Sequence, residues 1–148
     1  MIALLGAVSD QISKYLISHF MHAGESWPII PKIFHLTYVQ NTGAAFGLLR
    51  GNNTMLAIIA AVLIIAVVVA YNITKKKDPL FIISLSFILG GSMGNLCDRI
   101  TRGYVVDFLD FRVWPVFNLA DSLINIGFIL LVIHILMRKG ERNASDTA

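Results

Sequence analysis

The sequence has a single cysteine and very little charge. Cys97 alone excludes an intrachain disulfide and any metal site built from several cysteines, and it is expected to pack as a small apolar side chain. The four histidines, at 19, 22, 35 and 134, show no ligand spacing, and no His-Glu-x-x-His helix is present. Zinc proteolysis therefore fits poorly, and neither a metal nor another cofactor is expected. No internal repeat or low-complexity tract is visible, and no aromatic-basic motif accompanies the net charge of +3, so nucleic acid is not an expected partner.

What the chain has instead is apolar length. Hydrophobic residues make up 56% of its 148 residues, charged ones 14%, and the mean hydropathy is +0.72. These values lie outside the soluble range and mark a membrane protein. Thr54 to Thr74 is 21 residues without a formal charge, and Pro79 to Cys97 is 19. Each is long enough to cross a hydrocarbon core of roughly 30 Å as a helix. A third stretch, 119–137, has spanning length if Asp121 is accepted at the interface. The N-terminal segment is interrupted by Asp10 and Lys14. It reads either as a cleaved signal peptide or as a retained first helix. The second is preferred, because no basic leader precedes the apolar run and no small-x-small cleavage site follows it. Asp10 and Lys14 are one helical turn apart and able to pair on one face.

The expectation is therefore a single all-α membrane domain, 1–148, with four spans at about 1–20, 54–74, 79–97 and 119–137. Lys75, Lys76 and Lys77 follow the second span, and Arg138, Lys139 and Arg142 follow the last. Basic flanks favour the cytoplasm, which places both termini inside, outer loops at 21–53 and 98–118, and a cytoplasmic tail at 138–148. Arg99, Arg102 and Arg112 oppose this orientation, so the second outer loop must hold them for another purpose. The tail is polar enough to be disordered. KIFHLTYV, Lys32 to Val39, is rich in β-branched and aromatic residues and predicts a strand after Pro28 and Pro31. NTGAAFG, Asn41 to Gly47, reads either as a plain turn or as a place for close backbone approach. In GGSMGN, Gly90 to Asn95, the glycines either let helices pack tightly or clear room for a ligand.

Ionisable groups in or beside spans are costly unless they face a cavity or one another. Here they are Asp10, Lys14, Asp98, Arg99, Asp107, Asp110, Asp121 and His134. Ser13 and Lys14 lie about 100° apart on a helix, which rules out a serine–lysine pair. Two close aspartates cannot both ionise cheaply, so they share a proton and divide acid and base work. Asp107 and Asp121 are 14 residues apart with Trp114 and Pro115 between them, enough chain to fold back. The bland alternatives are a turn or cap residue at 107 and a helix-start residue at 121.

Five blocks taken together carry a resemblance: DQISK at 10–14, NTGAAFG at 41–47, GGSMGNLCDR at 90–99, VVDF at 105–108 and FNLAD at 117–121. In this order they resemble the lipoprotein signal peptidases, or type II signal peptidases, bacterial membrane aspartyl proteases. The resemblance covers nearly the whole chain. It implies four membrane helices with a small β-structure and a mobile flap in the first outer loop. It also implies a metal-free endopeptidase that cleaves prolipoproteins just before a diacylglyceryl-modified cysteine, at the outer face of the bacterial cytoplasmic membrane. By block matching the catalytic pair is Asp107 and Asp121. Asn41, Gly43, Gly91, Asn95, Arg99, Asn118 and Ala120 would line the site or bind substrate. Asp10 and Lys14 would be mainly structural, Asp98 would help hold Arg99, and Asp110 would be a solvated loop charge. Partners would be prolipoprotein and membrane lipid, with the enzyme a monomer. Two departures bear on packing before activity. Only nine residues precede DQISK, and Ser92 and Met93 stand where a small apolar pair is more typical. The alternative from another class is a small ion or proton-coupled transporter.

Overall fold

A computed structural model describes residues 1–43, 51–75 and 77–146 as four helices and three strands. The helices are α1 (Ile2–Phe20), α2 (Asn53–Ile73), α3 (Pro79–Thr101) and α4 (Leu119–Asp146). The strands are β1 (Ser26–Ile30), β2 (Phe34–Asn41) and β3 (Val105–Asp110), which form one antiparallel sheet in that order. The β-structure is therefore larger than a first-loop element, because its third strand comes from the segment between α3 and α4. Pro28 lies inside β1 instead of bounding it. That is permitted because β1 is an edge strand, where a missing N–H breaks no interior ladder.

Among the described residues three helices are long and apolar enough to cross a membrane: Asn53–Ile73, Pro79–Thr101 and Leu119–Lys139. α1 falls short in apolar content because of the Asp10, Gln11 and Lys14 cluster. α4 does not stop where its apolar pattern ends but continues through the polar tail to Asp146, contrary to the expected disorder. Local signals start the other helices. Asp78 accepts from the Phe81 N–H at 3.0 Å with Pro79 as the first helical residue, and Asn52 accepts from the Met55 N–H at 3.2 Å.

α3 is the hub, touching α1, α2 and α4. Its glycines make this possible. A Cβ on Gly91 would run into the Ala120 backbone carbonyl, and one on Gly94 into the Asp10 carboxylate. Small residues thus serve close helix approach, the packing reading of GGSMGN. Val67, Phe81, Leu85 and Ile88 form the apolar core at one end, and Met21, Tyr38 and Val106 a second core beneath the sheet. At the first end His134 is buried, with its Nδ1 3.0 Å from Asp78 and its ring against Phe81. Cys97 corrects its expectation. It is exposed, lining an open apolar groove with Tyr15 and Met93, and fills no core space.

Candidate active site

Two local devices bring Asp107 and Asp121 to one place. The first is a fold-back between β3 and α4. Phe117 and Leu109 exchange backbone hydrogen bonds, Leu109 N–H to Phe117 O at 2.8 Å and Phe117 N–H to Leu109 O at 3.1 Å. The segment from 110 to 116 is thereby closed into a loop, and α4 begins beside β3. Asn118 caps α4, its Oδ1 accepting from the Asp121 N–H at 2.9 Å while the Asp121 Oδ2 accepts from the Asn118 N–H at 3.3 Å. This is a capping-box exchange. The Asp121 carboxylate is thus a helix-start group by its hydrogen bonds.

The second device is a bulge in β2. His35 and Leu36 pair with Asp110 and Leu109, but Val39, not Tyr38, pairs with Asp107. One extra residue on β2 reverses which side chains share a face. Without it Tyr38 and Gln40 would flank Asp107. With it Val39 and Asn41 do, and the Asn41 Nδ2 donates to Asp107 Oδ2 at 2.7 Å.

The two carboxylates are joined by amides. Asn118 Nδ2 donates to Asp107 Oδ1 at 2.6 Å, and Asn95 Nδ2 donates to Asp121 Oδ1 at 2.8 Å. Asn118 Nδ2 also reaches Asn95 Oδ1 at 3.2 Å. Both aspartates line one cavity of about 770 Å³, with Asn41, Gly43, Asn95 and Arg99 on its polar side. Phe111, Trp114, Phe117, Ile124 and Ile129 form the apolar wall. Gly43 is held by its N–H donating to Asn41 Oδ1 at 2.8 Å. Residues 44–47 of the NTGAAFG block lie outside the described residues, and with them most of the expected flap.

Burial, and then the neighbouring Asp121 charge, push the Asp107 carboxyl up to about 7, against the pull of its hydrogen bonds from Asn41 and Asn118. Asp107 is 2% exposed, so its ionised form loses most of its hydration.

Other expected site residues fall elsewhere. Gly91 and Ala120 meet at the α3–α4 contact and are not among the cavity-lining residues, and the Ala120 N–H donates to Asp10 Oδ1 at 2.8 Å. Asp98 does not hold Arg99. It pairs with Lys14 at 3.1 Å and Arg102 at 3.5 Å, and accepts from the Val106 N–H at 3.1 Å. Arg99 instead lines the cavity, its Nη1 3.4 Å from the Asn95 carbonyl, with no carboxylate at salt-bridge distance among the described residues but within electrostatic reach of Asp121, Asp107 and Asp98. Asp110 is not solvated. It is 4% exposed and accepts from Thr37 at 2.7 Å and Arg112 at 2.9 Å. Burial raises its carboxyl pKa, but those bonds outweigh it and hold it below the usual carboxylate range.

The first block, DQISK, lines no part of the cavity and reaches the site through Asn95, whose Oδ1 accepts from Lys14 Nζ at 2.9 Å. Lys14 and Asp10 are both fully buried and 2.8 Å apart. Gln11, singled out by no sequence argument beyond its place in that block, donates to the Gly94 carbonyl at 3.0 Å and to Asp98 at 3.3 Å. The apolar wall is also invisible in the sequence, because Phe111, Ile124 and Ile129 look like any other membrane residues.

A family model described as signal peptidase (SPase) II matches residues 2–137. The lipoprotein signal peptidase of Moorella thermoacetica is 46% identical over 142 residues, covering 96% of this chain and 95% of that protein. That of Desulfitobacterium hafniense is 48% identical over 139 residues, covering 93% and 91%. A solved bacterial membrane enzyme superposes with a TM-score of 0.88 at 35% identity, covering 95% of this chain and 88% of its own. A second does so with a TM-score of 0.83 at 36% identity, covering 91% and 90%. With the family matched along nearly its whole length and its fold shared with solved relatives, this chain belongs to the signal peptidase II family of bacterial membrane proteases.

Proposed function

We propose that this protein is an aspartic endopeptidase that removes the signal peptide of prolipoproteins, cutting just before a diacylglyceryl-modified cysteine with Asp107 and Asp121. The observation that carries the reading is a single cavity with two amide-bridged carboxylates at one end and an apolar wall running down α4. The polar end suits a peptide bond and water, and the wall of Ile124, Ile129 and Trp114 suits acyl chains. Family membership supports the same activity and does not favour a transporter.

In this mechanism the pair holds one proton, drawn to Asp107 by its burial. The Asp121 carboxylate takes a proton from a water between the two, and that water attacks the scissile carbonyl while Asp107 donates to the carbonyl oxygen. The roles then reverse, and the released amine leaves with a proton. Asn95 and the Asn118 N–H hold Asp121 in place, while Asn41 and Asn118 hold Asp107. Arg99 lines the cavity with no carboxylate at salt-bridge distance among the described residues, and grips substrate carbonyl or headgroup oxygens through planar hydrogen bonds.

α1 is the fourth span in this reading. Its 19 residues cover roughly 28 Å. Asp10 and Lys14 turn inward and are buried, while Leu4, Leu5, Val8, Ile12 and Leu16 point outward and are exposed. The basic flanks support a topology with both termini in the cytoplasm and the sheet and dyad at the outer face of the membrane. In this reading the enzyme acts as a monomer.

Cleavage of a diacylglyceryl-modified precursor by the purified protein in detergent, without added metal, tests this function, and an inactive folded protein would overturn it. The pH profile tests the proton assignment. Asp107 keeps its proton up to about pH 7, so kcat/KM should fall tenfold per pH unit above that point as the shared proton is lost. The same shift acts on stability. The unfolded chain releases this proton near the ordinary carboxylate pKa of 3.8 and the folded one near 7, so this group's contribution to stability declines as pH rises between the two. A kcat/KM that stayed level to pH 9 would remove Asp107 as the proton carrier.

A further inference from the structure

Asn95 stands between the buried charges of α1 and the dyad. Its Oδ1 accepts from Lys14 Nζ at 2.9 Å and from Asn118 Nδ2 at 3.2 Å, while its Nδ2 donates to Asp121 at 2.8 Å. The orientation of this amide is dictated by chemistry. An ammonium group and a side-chain amide nitrogen can only donate, and an ionised carboxylate can only accept. The reverse orientation would turn the Asn95 nitrogen toward two donors and its oxygen toward Asp121. Lys14 is fully buried, so bulk water does not take over its bonds. It has three protons and three acceptors around it: Asp10, Asp98 and Asn95.

We propose that Lys14 is a positioning residue for catalysis, acting through Asn95 to aim an amide donor at Asp121 and hold that carboxylate toward the cavity. This role exceeds the structural one that the DQISK block implies, and it rests on the aspartic peptidase reading above. The pair Lys14 and Asp10 is one half of a balanced set, the other half being Asp98 and Arg102. Removing one cation and one anion together therefore separates positioning from charge balance.

The test is Lys14→Met combined with Asp10→Asn, in full-length protein in detergent. The asparagine placed at position 10 retains an acceptor for the Ala120 N–H, and Asp98 retains Arg102. Thermal unfolding reports that the variant is folded. The expected result is kcat lowered on the order of 10- to 100-fold, as for a misplaced catalytic group, with KM changed less than twofold. The charged groups that face Asp107 are Asp121 on α4, Arg99 on α3 and Lys14 on α1. Loss of the Lys14 charge should move the Asp107 titration to higher pH, whereas a smaller population of active molecules would leave it in place. Carboxyl carbon-13 resonances of labelled aspartate read that titration without any cleavage, so an inactive wild type would sink the peptidase reading while still testing the coupling. Lys14→Gln with Asp10→Asn is the second variant. It restores an N–H donor without the charge and should recover much of kcat. A folded Lys14→Met/Asp10→Asn enzyme with normal kcat and an unmoved titration would overturn the proposal. So would equal loss in the methionine and glutamine variants.

Discussion

Asp107→Asn and Asp121→Asn should each lower precursor cleavage by about 10³-fold or more while leaving a folded protein. Each removes one partner of a proton exchange, and general acid–base catalysis alone is worth roughly 10²- to 10⁴-fold. Asparagine keeps the size of the side chain and one acceptor oxygen. The bonds from Asn118 and Asn41 to position 107, and the capping exchange at 121, are therefore only partly lost. Single-turnover cleavage of a lipid-modified precursor, with unfolding temperature measured alongside, checks both halves of the expectation. Asp110→Asn is the control. It lies off the cavity, bonded to Thr37 and Arg112, and should cost stability without a comparable loss of turnover. Equal activity in all three variants would remove the dyad from the mechanism.

The second large effect concerns stability. Lys14→Met alone should destabilise the fold by about 3 to 5 kcal/mol, the usual consequence of leaving a buried charge unpaired. Asp10 and Asp98 are both fully buried. After the substitution Arg102, at 3.5 Å from Asp98 and partly exposed, is the cation left at salt-bridge distance from these carboxylates among the described residues. Adding Asp10→Asn removes the orphaned charge and should recover most of the lost unfolding temperature. If Lys14→Met unfolded at the wild-type temperature, the buried charges would not be coupled in the way their distances require.

Buried charge also explains why α1 is hard to read from its sequence. Asp10, Gln11 and Lys14 lower its apolar content below that of the other helices, yet each finds a partner on α3 or α4. A one-dimensional pattern registers the polar groups and not the partners that neutralise them. For the same reason sequence order ties Asp98 to its neighbour Arg99, and the fold does not. Consecutive helical residues point about 100° apart, and one turn of α3 carries Asp98 toward Lys14 and Arg99 toward the cavity. Asp110 reads as a loop charge in one dimension because Arg112 and Thr37, which neutralise and bond it, come from a turn and another strand.

The sequence by itself determined the membrane class, three apolar spans, the family through five ordered blocks, and the pair of aspartates to suspect. These are properties of composition and local order, and they survive without knowledge of any contact. Only the tertiary structure decided that Asp107 and Asp121 meet, because that depends on the Leu109–Phe117 backbone exchange and on an amide bridge contributed by α3 and the start of α4. It also decided that Asn41 and not Gln40 flanks Asp107, through one extra residue in β2. A strand's two faces differ by a single residue of register, and that register is set by pairing across the sheet, which no local pattern encodes.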